Sequence, residues 1–265
     1  MTTGELPAVA PASQPGRSRR VALPGTGELL IVMPALNEQD SVARVVREVL
    51  AAQPAADVLV VDDGSTDATA SRATAAGALV MRLPFNLGVG GAMRAAYRWA
   101  RDRGYTQVIQ VDADGQHDAA ELATLLDVQA ADPSIDIVIG SRFAGKGDYA
   151  VRGPRRWAMR MLSVGMTMIV GTDVKDPTSG FRLVNRRALN LFAEHYPEEY
   201  LGDTVEALVM AHRTGLTMRQ VPVVMRVRET GTASTNPFRS ALYLVRVVVA
   251  IGLAMVRRRP RVGDS

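Results

Sequence analysis

Short apolar segments alternate with stretches of helical periodicity through residues 29–143. The apolar segments are rich in Val, Ile and Leu and are predicted to be buried strands over residues 29–35, 57–65, 79–83, 107–111 and 136–143. Between the first two, five apolar side chains share one face of a helix predicted over residues 40–52, namely Val42, Val45, Val46, Val49 and Leu50. Strands that alternate with helices at this interval form βαβ units, which predicts an α/β protein with a mostly parallel sheet covered by helices on both faces. Pro34 is expected to end the first strand, because proline cannot donate to a sheet ladder.

The remaining segments predict one large domain with extensions at both ends. Residues 1–27 are rich in Pro, Ala, Gly and Ser and are expected to be disordered. The α/β domain is expected over residues 28–236, with a Met-rich segment at 157–171, a polar loop entering a helix at 176–189, a helix at 204–214 and a strand at 218–227. An amphipathic helix over residues 237–259 and a basic tail over 260–265 follow.

Polar side chains follow each of the first five predicted strands. They are Asn37 and Glu38, Asp62 and Asp63, Asn86, Asp112 and Asp114, and Ser141 and Arg142. Because the carboxyl ends of parallel strands lie at one edge of a sheet, these side chains are expected to converge on a ligand crevice.

The fourth strand has the most distinctive ending, since an apolar, β-branched run leads directly into Asp112 and Asp114. Two carboxylates one residue apart, with Gln116 and His117 just after them, form a hard oxygen site. Such a site suits Mg²⁺ or Mn²⁺, with phosphate oxygens completing the coordination shell. The alternative is a turn in which Asp112 caps the next helix and Asp114 is solvated.

Several other classes of site are disfavoured. The chain has no cysteine, which excludes disulfides, thiolate zinc sites and cysteine nucleophiles. The glycine-rich residues 86–92 are predicted to form a turn before a helix over 92–104. These residues follow the third strand and match the dinucleotide-binding motif G-x-G-x-x-G only loosely, because Met93 stands at the position of the third glycine. A dinucleotide site is therefore disfavoured. No Walker motif and no G-x-S-x-G motif occurs, which disfavours a P-loop NTPase and a serine hydrolase.

Six motifs occur in the order and at the spacing found in one enzyme family. They are PALNE (34–38), VDDGSTD (61–67), NLGVGGA (86–92), DADGQH (112–117), GSRF (140–143) and TSGFR (178–182). Together they resemble the family 2 glycosyltransferases of the GT-A fold, and most of all the dolichyl- or polyprenyl-phosphate sugar synthases, over residues 29–234. The resemblance implies a Rossmann-like GT-A domain.

The resemblance also implies a binding site for the nucleotide sugar. The residues implied are Pro34, Leu36, Glu38, Asp63, Asp112, Ala113, Arg142 and Arg228. Of these, Pro34, Leu36 and Glu38 would line the pocket for the nucleobase and ribose, and Asp63 would hold the base or the ribose.

The metal and catalytic groups follow from the same resemblance. Asp112, Asp114 and Gln116 would hold Mg²⁺ or Mn²⁺. The catalytic candidates are Asp114, through the metal ion, Arg142, which would contact the diphosphate or sugar, and Asp176, which would position the acceptor or relay a proton. For Asp176 a loop-capping role is the open alternative.

Arginine supplies nearly all of the basic residues, since Lys146 and Lys175 are the only lysines. This composition either serves bidentate phosphate contacts or reflects a sequence-wide preference. Candidates to grip a lipid phosphate, each with a solvated position as the alternative, are Arg152, Arg155, Arg156 and Arg182. After the last strand, Arg228 and Gly231 match the family pattern, but Ser234 stands where a basic residue is expected. Either Arg228 acts alone there or Arg239 takes the place of the missing basic residue.

The implied function is an inverting, metal-dependent glycosyltransferase that moves a hexose-type sugar from a nucleotide diphosphate sugar to a polyprenyl phosphate. One alternative is transfer to a polysaccharide or other soluble acceptor. Another is a non-catalytic protein that binds nucleotide sugars. No nucleic-acid partner is expected.

The C-terminal apolar stretch bears on the membrane. Residues 247–256 are uncharged, which is about half of the roughly 20 residues that a spanning helix needs. With arginines on both sides, this stretch fits a helix in the interface of an anionic cytoplasmic leaflet, and residues 157–170 could make a second contact. The protein is therefore expected to be peripheral on the inner face of the cell membrane, with an integral-membrane partner possible. The alternative is a helix packed on the domain through Leu242, Val245, Val249 and Leu253.

Overall fold

The computed structural model describes residues 28–141, 166–167, 176–197 and 203–226 of the 265-residue chain. Within these residues the strands are β1 (Leu29–Ala35), β2 (Asp57–Asp62), β3 (Leu79–Arg82), β4 (Gln107–Gln110), β5 (Ile137–Ser141), β6 (Arg182–Asn185) and β7 (Met218–Pro222). The helices are α1 (Val42–Ala52), α2 (Thr69–Ala75), α3 (Gly88–Asp102), α4 (Leu122–Ala131), α5 (Arg186–His195) and α6 (Asp203–Arg213). A short 3₁₀ helix, Ala119–Glu121, precedes α4.

The described strands form one mixed sheet in the order β3-β2-β1-β4-β6-β5-β7. Strand β6 runs antiparallel to β4 and β5, and the other pairs are parallel. The carboxyl ends of β1 to β5 therefore share one edge of the sheet, and the chain enters β6 at that same edge. The predicted mostly parallel sheet is confirmed, and the polar residues predicted to follow its first five strands lie at this edge, except for Arg142, which is outside the described residues.

Helices cover both faces of this sheet, as predicted. Leu30 and Val32 of β1 lie in a core that also contains side chains of α3, α5 and α6. Ile31 and Met33 point the other way, into a core shared with α1, α2 and α4. All four side chains are fully buried. This alternation explains why β1 reads as a continuous apolar run, since a strand covered on both faces has no solvated side. Met166, from the Met-rich segment, is buried in the first core.

Pro34 lies inside β1, one residue before its end, opposite Val61 of β2. The N–H of Val111 donates to Val32 O, so the backbone N–H and C=O groups of the even-numbered residues of β1 point toward β4. Pro34 is therefore also oriented toward β4, where a residue other than proline would present its N–H. The β1–β4 ladder ends before this point, at the pair Val32 and Gln110. The proline thus removes no ladder bond.

Two local predictions were wrong. Residues 176–189 were expected to be a polar loop entering a helix, but they contain strand β6, whose four residues are too few to show a period. Helix α3 begins at Gly88 and not at Ala92, so three glycines of the expected turn lie in its first turns. The predictions for residues 1–27, for the 237–259 helix and for the 260–265 tail lie outside the described residues.

Candidate functional site

The loops that follow β1 and β2 are hydrogen-bonded to each other at the ligand edge of the sheet. The N–H of Asn37 donates to Ser65 Oγ at 2.9 Å, and the N–H of Thr66 donates to Asn37 Oδ1 at 3.0 Å. Asn37 has a positive φ of 55°, a conformation that asparagine tolerates better than most residues. These bonds hold the first two strand endings as one unit.

The three residues predicted to line a nucleobase pocket lie in this unit. The side chain of Leu36 is 38% exposed, which leaves an apolar surface at the sheet edge. The N–H of Glu38 donates to Thr69 Oγ1 at 2.8 Å, and its carboxylate accepts a hydrogen bond from Ser41 Oγ at 2.8 Å. Glu38 is thereby oriented by groups of α1 and α2, while Pro34 lies half-buried just before it in β1.

Asp63 follows β2 and is buried, with both carboxylate oxygens hydrogen-bonded to the start of α3. Oδ1 accepts from Leu87 N at 2.7 Å and Oδ2 accepts from Gly88 N at 2.9 Å. Burial raises the pKa of Asp63, although these two backbone hydrogen bonds oppose the rise. A carboxylate at a helix N-terminus is stabilised by the helix dipole, which explains why α3 starts four residues earlier than predicted.

The turn after β4 carries the predicted metal ligands. Asp114 Oδ1 accepts a hydrogen bond from Gln116 N at 2.9 Å, and its Oδ2 accepts one from Gln116 Nε2 at 2.6 Å. The Asp112 side chain is 42% exposed at the edge of the sheet. Asp118 caps the following 3₁₀ helix by accepting from Ala120 N, so the alternative that assigned a cap to Asp112 is wrong. Ala113 is buried in the second core, so its side chain faces away from the crevice.

His117 supports this turn from the inside. Its Nδ1 accepts a hydrogen bond from the N–H of Asp112 at 2.9 Å, and its ring stacks on Phe181 with 4.9 Å between centroids. The Nε2 atom of the same ring lies 3.6 Å from Asp112 Oδ2. His117 therefore contributes to the position of Asp112 from a buried place behind it.

The loop that enters β6 approaches the metal turn closely. A Cβ on Gly180 would lie 3.1 Å from Asp112 Oδ1 and 3.0 Å from Gln110 Nε2. A larger residue here would force the Asp112 or Gln110 side chain to shift, so glycine lets the TSGFR loop lie against Asp112 without such a shift. The TSGFR motif does not reveal this role in the sequence, because the close approach exists only once β6 lies beside β4.

Asp176 lies in the same loop and is fully buried. Its Oδ1 accepts a hydrogen bond from Thr178 Oγ1 at 2.9 Å, and its carbonyl accepts one from Gln220 Nε2 of β7 at 3.0 Å. These contacts are those of a loop-capping aspartate, and a role toward the acceptor stays a prediction. Arg182 is also buried, at 1% exposure, so the solvated position considered for it is wrong.

Several predicted residues lie outside the described ranges. They are Arg142, Arg152, Arg155, Arg156, Arg228, Gly231, Ser234 and Arg239.

The donor set after β4 fits a hard divalent cation. Two carboxylates and one side-chain amide offer oxygen ligands of the kind that Mg²⁺ and Mn²⁺ prefer. Among the described residues, no group of three or more His, Cys, Asp or Glu side chains is arranged to hold a metal ion. A cation at Asp112 and Asp114 would therefore need further oxygens, which a bound diphosphate can supply.

Comparisons with known proteins agree with this geometry. The family model described as glycosyl transferase family 2 matches residues 30–192. Polyprenol monophosphomannose synthase of Mycolicibacterium smegmatis is 30% identical over 235 residues, which cover 83% of this chain and 86% of that protein. Undecaprenyl-phosphate mannosyltransferase of Micrococcus luteus is 32% identical over 218 residues, which cover 78% of this chain and 87% of that protein.

A solved structure shows the same fold. It is glucosyl-3-phosphoglycerate synthase from Mycobacterium tuberculosis in complex with Mn²⁺, uridine diphosphate and glucosyl-3-phosphoglycerate. It superposes with a TM-score of 0.68 at 22% identity, covering 88% of this chain and 81% of that one.

Proposed function

This chain belongs to glycosyl transferase family 2 and is a glycosyltransferase with the GT-A fold, and we propose that it is inverting and metal-dependent. Its donor is a nucleotide diphosphate sugar and its acceptor is a polyprenyl phosphate. One observation carries the proposal: the carboxylates of Asp112 and Asp114 stand at the same sheet edge as the Asn37–Glu38 and Asp63 loops. The residues proposed to hold a cation and those proposed to bind the base are thus side by side at the carboxyl ends of parallel strands.

The donor site divides into two parts by chemistry. The exposed side chain of Leu36 and the fixed carboxylate of Glu38 form the part suited to a base and ribose. Asp63 holds the start of α3 against this part through two backbone hydrogen bonds. Its carboxylate oxygens have further lone pairs that can accept a hydrogen bond from a ribose hydroxyl. Asp112, Asp114 and Gln116 form the part suited to the diphosphate.

Loss of the nucleoside diphosphate places negative charge on its leaving oxygen. A divalent cation held by Asp112, Asp114 and Gln116 would supply Lewis-acid stabilisation of that charge. A glucosyl-3-phosphoglycerate synthase with this fold was crystallised with Mn²⁺. Arg142 and Arg228, assigned from the sequence alone, supply additional positive charge near the diphosphate.

The chemistry of the acceptor determines whether the protein must supply a general base on the face of the sugar opposite the diphosphate. A polyprenyl monophosphate is already an anion, so its oxygen attacks the anomeric carbon without a strong general base. Attack from the face opposite the leaving diphosphate inverts the configuration at that carbon. Asp176 positions the acceptor in this proposal, and the relatives named above act, by their names, on polyprenol and undecaprenyl phosphate.

The site of action is the inner face of the cell membrane, with the chain bound peripherally. No helix in the described ranges has both the length and the apolar character that a membrane crossing needs. The assignment is supported by the apolar residues 247–256 and the arginines that follow them.

Transfer with radiolabelled donors tests the proposal. The purified chain is incubated with GDP-, UDP- or dTDP-sugars, Mn²⁺ and polyprenyl phosphate, and the label is partitioned between organic and aqueous phases. Label in the organic phase, abolished by EDTA and by Asp114→Ala, is the expected result. Label in a water-soluble product would select a soluble acceptor, and donor binding without transfer would overturn the catalytic assignment.

A further inference from the structure

The chain that leaves β7 runs along the turn carrying the predicted metal ligands. The N–H of Arg226 donates to Gln116 O at 2.9 Å, and Met225 forms an isolated antiparallel bridge with His117. Two residues earlier, the N–H of Val224 donates to Glu121 Oε1 at 3.1 Å. These contacts make residues 224–226 a strap along residues 116–121.

The side chain of Arg226 joins this strap to two further elements. Its Nη1 donates to Glu48 Oε2 of α1 at 2.6 Å, and its Nη2 donates to Asp118 Oδ1 at 2.9 Å. Asp118 Oδ1 also caps the 3₁₀ helix, at 3.0 Å from Ala120 N. The hydrogen bond to Glu48 raises the pKa of Arg226, although burial opposes the rise. One guanidinium therefore fixes the chain just after Gln116 to helix α1.

Glu48 extends the contact to the first half of the turn. Its other oxygen, Oε1, accepts a hydrogen bond from Arg44 Nη1 at 3.0 Å. The Arg44 guanidinium lies against Gly115, where a Cβ would come within 2.5 Å of Nη2. Gly115 separates Asp114 from Gln116 and has a positive φ of 80°. The turn is thus flanked by two arginines that share Glu48.

We propose that Arg226 is a positioning residue that holds the metal-binding turn in place and so sets the affinity for a divalent cation with a nucleoside diphosphate. The inference rests on the function proposed above. In this proposal Arg226 does not contact either ligand itself. It acts through Gln116 by its backbone and through Asp118 and Glu48 by its side chain. Because Arg228 follows two residues later, the strap also sets the point from which the predicted diphosphate-binding segment begins.

The geometry explains why arginine suits this position. Glu48 and Asp118 are bound by different nitrogens of one planar group, and each carboxylate keeps a second partner. A lysine ammonium can keep the positive charge but lacks the rigid fork. Replacement by methionine keeps the apolar stem and removes both ion pairs.

Binding calorimetry of the full chain with Mn²⁺ plus UDP, and with Mn²⁺ plus GDP, tests the proposal without any need for transfer. For Arg226→Met we expect a dissociation constant about tenfold weaker than that of the parent, the usual cost of losing a group that orients a metal ligand. Arg226→Lys should recover part of the loss. Glu48→Gln should weaken binding too. The double variant Glu48→Gln/Arg226→Met should lose less binding free energy than the sum of the two single losses, because both changes remove the same ion pair.

Arg219→Met is the matched control. Arg219 lies on β7 and, like Arg226, makes an ion pair, with Asp132 at 3.0 Å, but it stands at the end of the strand away from the ligand edge. We expect it to leave the dissociation constant unchanged. The melting temperature of every variant is measured alongside, and if Arg226→Met unfolds, Arg226→Lys and Glu48→Gln carry the same comparison.

The outcomes are separable. Arg226 variants that bind as tightly as the parent, or an Arg219→Met variant that weakens binding equally, would overturn the positioning role while leaving the proposed function intact. A parent chain that binds neither nucleotide with Mn²⁺ would instead count against the proposed donor, and with it this inference.

Discussion

The carboxylate of Asp63, at the end of β2, accepts a hydrogen bond from the backbone N–H of Gly88, the first residue of α3, at 2.9 Å. Its second oxygen accepts from Leu87. A residue predicted to bind the donor therefore also caps the glycine-rich helix that borders the site. Asp63 connects the donor pocket to the stability of α3.

Asp63→Ala is expected to lower stability and donor affinity together. Loss of the cap should cost roughly 1–2 kcal/mol of unfolding free energy. Asp63→Asn should be intermediate, because its one carbonyl oxygen cannot replace both carboxylate oxygens. Calorimetry with the free nucleoside diphosphate, beside thermal melting, checks this. A lowered melting temperature with an unchanged dissociation constant would leave Asp63 with the capping role alone.

Asp114→Ala should abolish transfer while the fold stays intact. The carboxylate bonds to Gln116 within its own turn, at the edge of the sheet and outside both cores. Removing it leaves the charge of the departing diphosphate less compensated, a loss on the order of several kcal/mol in the transition state. Turnover is measured with Mn²⁺ and with EDTA, and circular dichroism serves as the control for folding. Equal turnover under both conditions would refute the metal role.

Gly180→Ala should reduce transfer more than it reduces stability. The added methyl would lie 3.1 Å from Asp112 Oδ1, so the carboxylate or the TSGFR loop must shift. A shifted metal ligand commonly costs about tenfold or more in activity. Turnover at saturating donor is titrated against Mn²⁺. If the Mn²⁺ requirement and the maximal rate both match those of the parent, the close approach has no functional weight.

Asp67 makes the loop after β2 sensitive to acid. Burial raises the pKa of Asp67, but the hydrogen bonds from Thr69 and from the N–H of Gln39 outweigh it and lower the pKa below its ordinary 3.8. The folded state thus favours the charged form, which contributes stability above pH 3.8 that is lost as pH falls through the folded-state pKa. Asp67→Asn should melt at a lower temperature than the parent near neutrality. That difference should shrink under acid, and a difference constant from pH 7 to pH 3 would contradict the assignment.

The C-terminal segment is expected to bind anionic membranes. Flotation with anionic liposomes at low salt compares the full chain with a chain truncated after Asn236. The full chain should float and the truncated chain should stay behind, because residues 247–256 and the following arginines are removed. A full chain that does not float, or a truncation that unfolds the domain without changing flotation, would assign the helix a structural role.

The α/β class, the parallel character of the sheet and the residues at its ligand edge could all be predicted from the sequence. The reason is that each of these depends on a local pattern. Val42, Val45, Val46 and Val49 mark α1 by their spacing, and a strand such as β1, covered on both faces, reads as an apolar run. Once the strands are parallel, Asp63 and Asp112 must emerge at the same edge, although they lie on different strands.

Contacts between segments far apart in the chain became visible only in the folded structure. Strand β6 has four residues, too short for a period, and it is held by pairing with β4 and β5 on its two sides. That pairing places Gly180 against Asp112 and buries Arg182, which the sequence could equally have placed in solvent. Arg226 and Asp118 are 108 residues apart and meet because the chain that follows β7 runs along the turn after β4. Such contacts depend on how remote segments pair, and no local pattern of residues records that pairing.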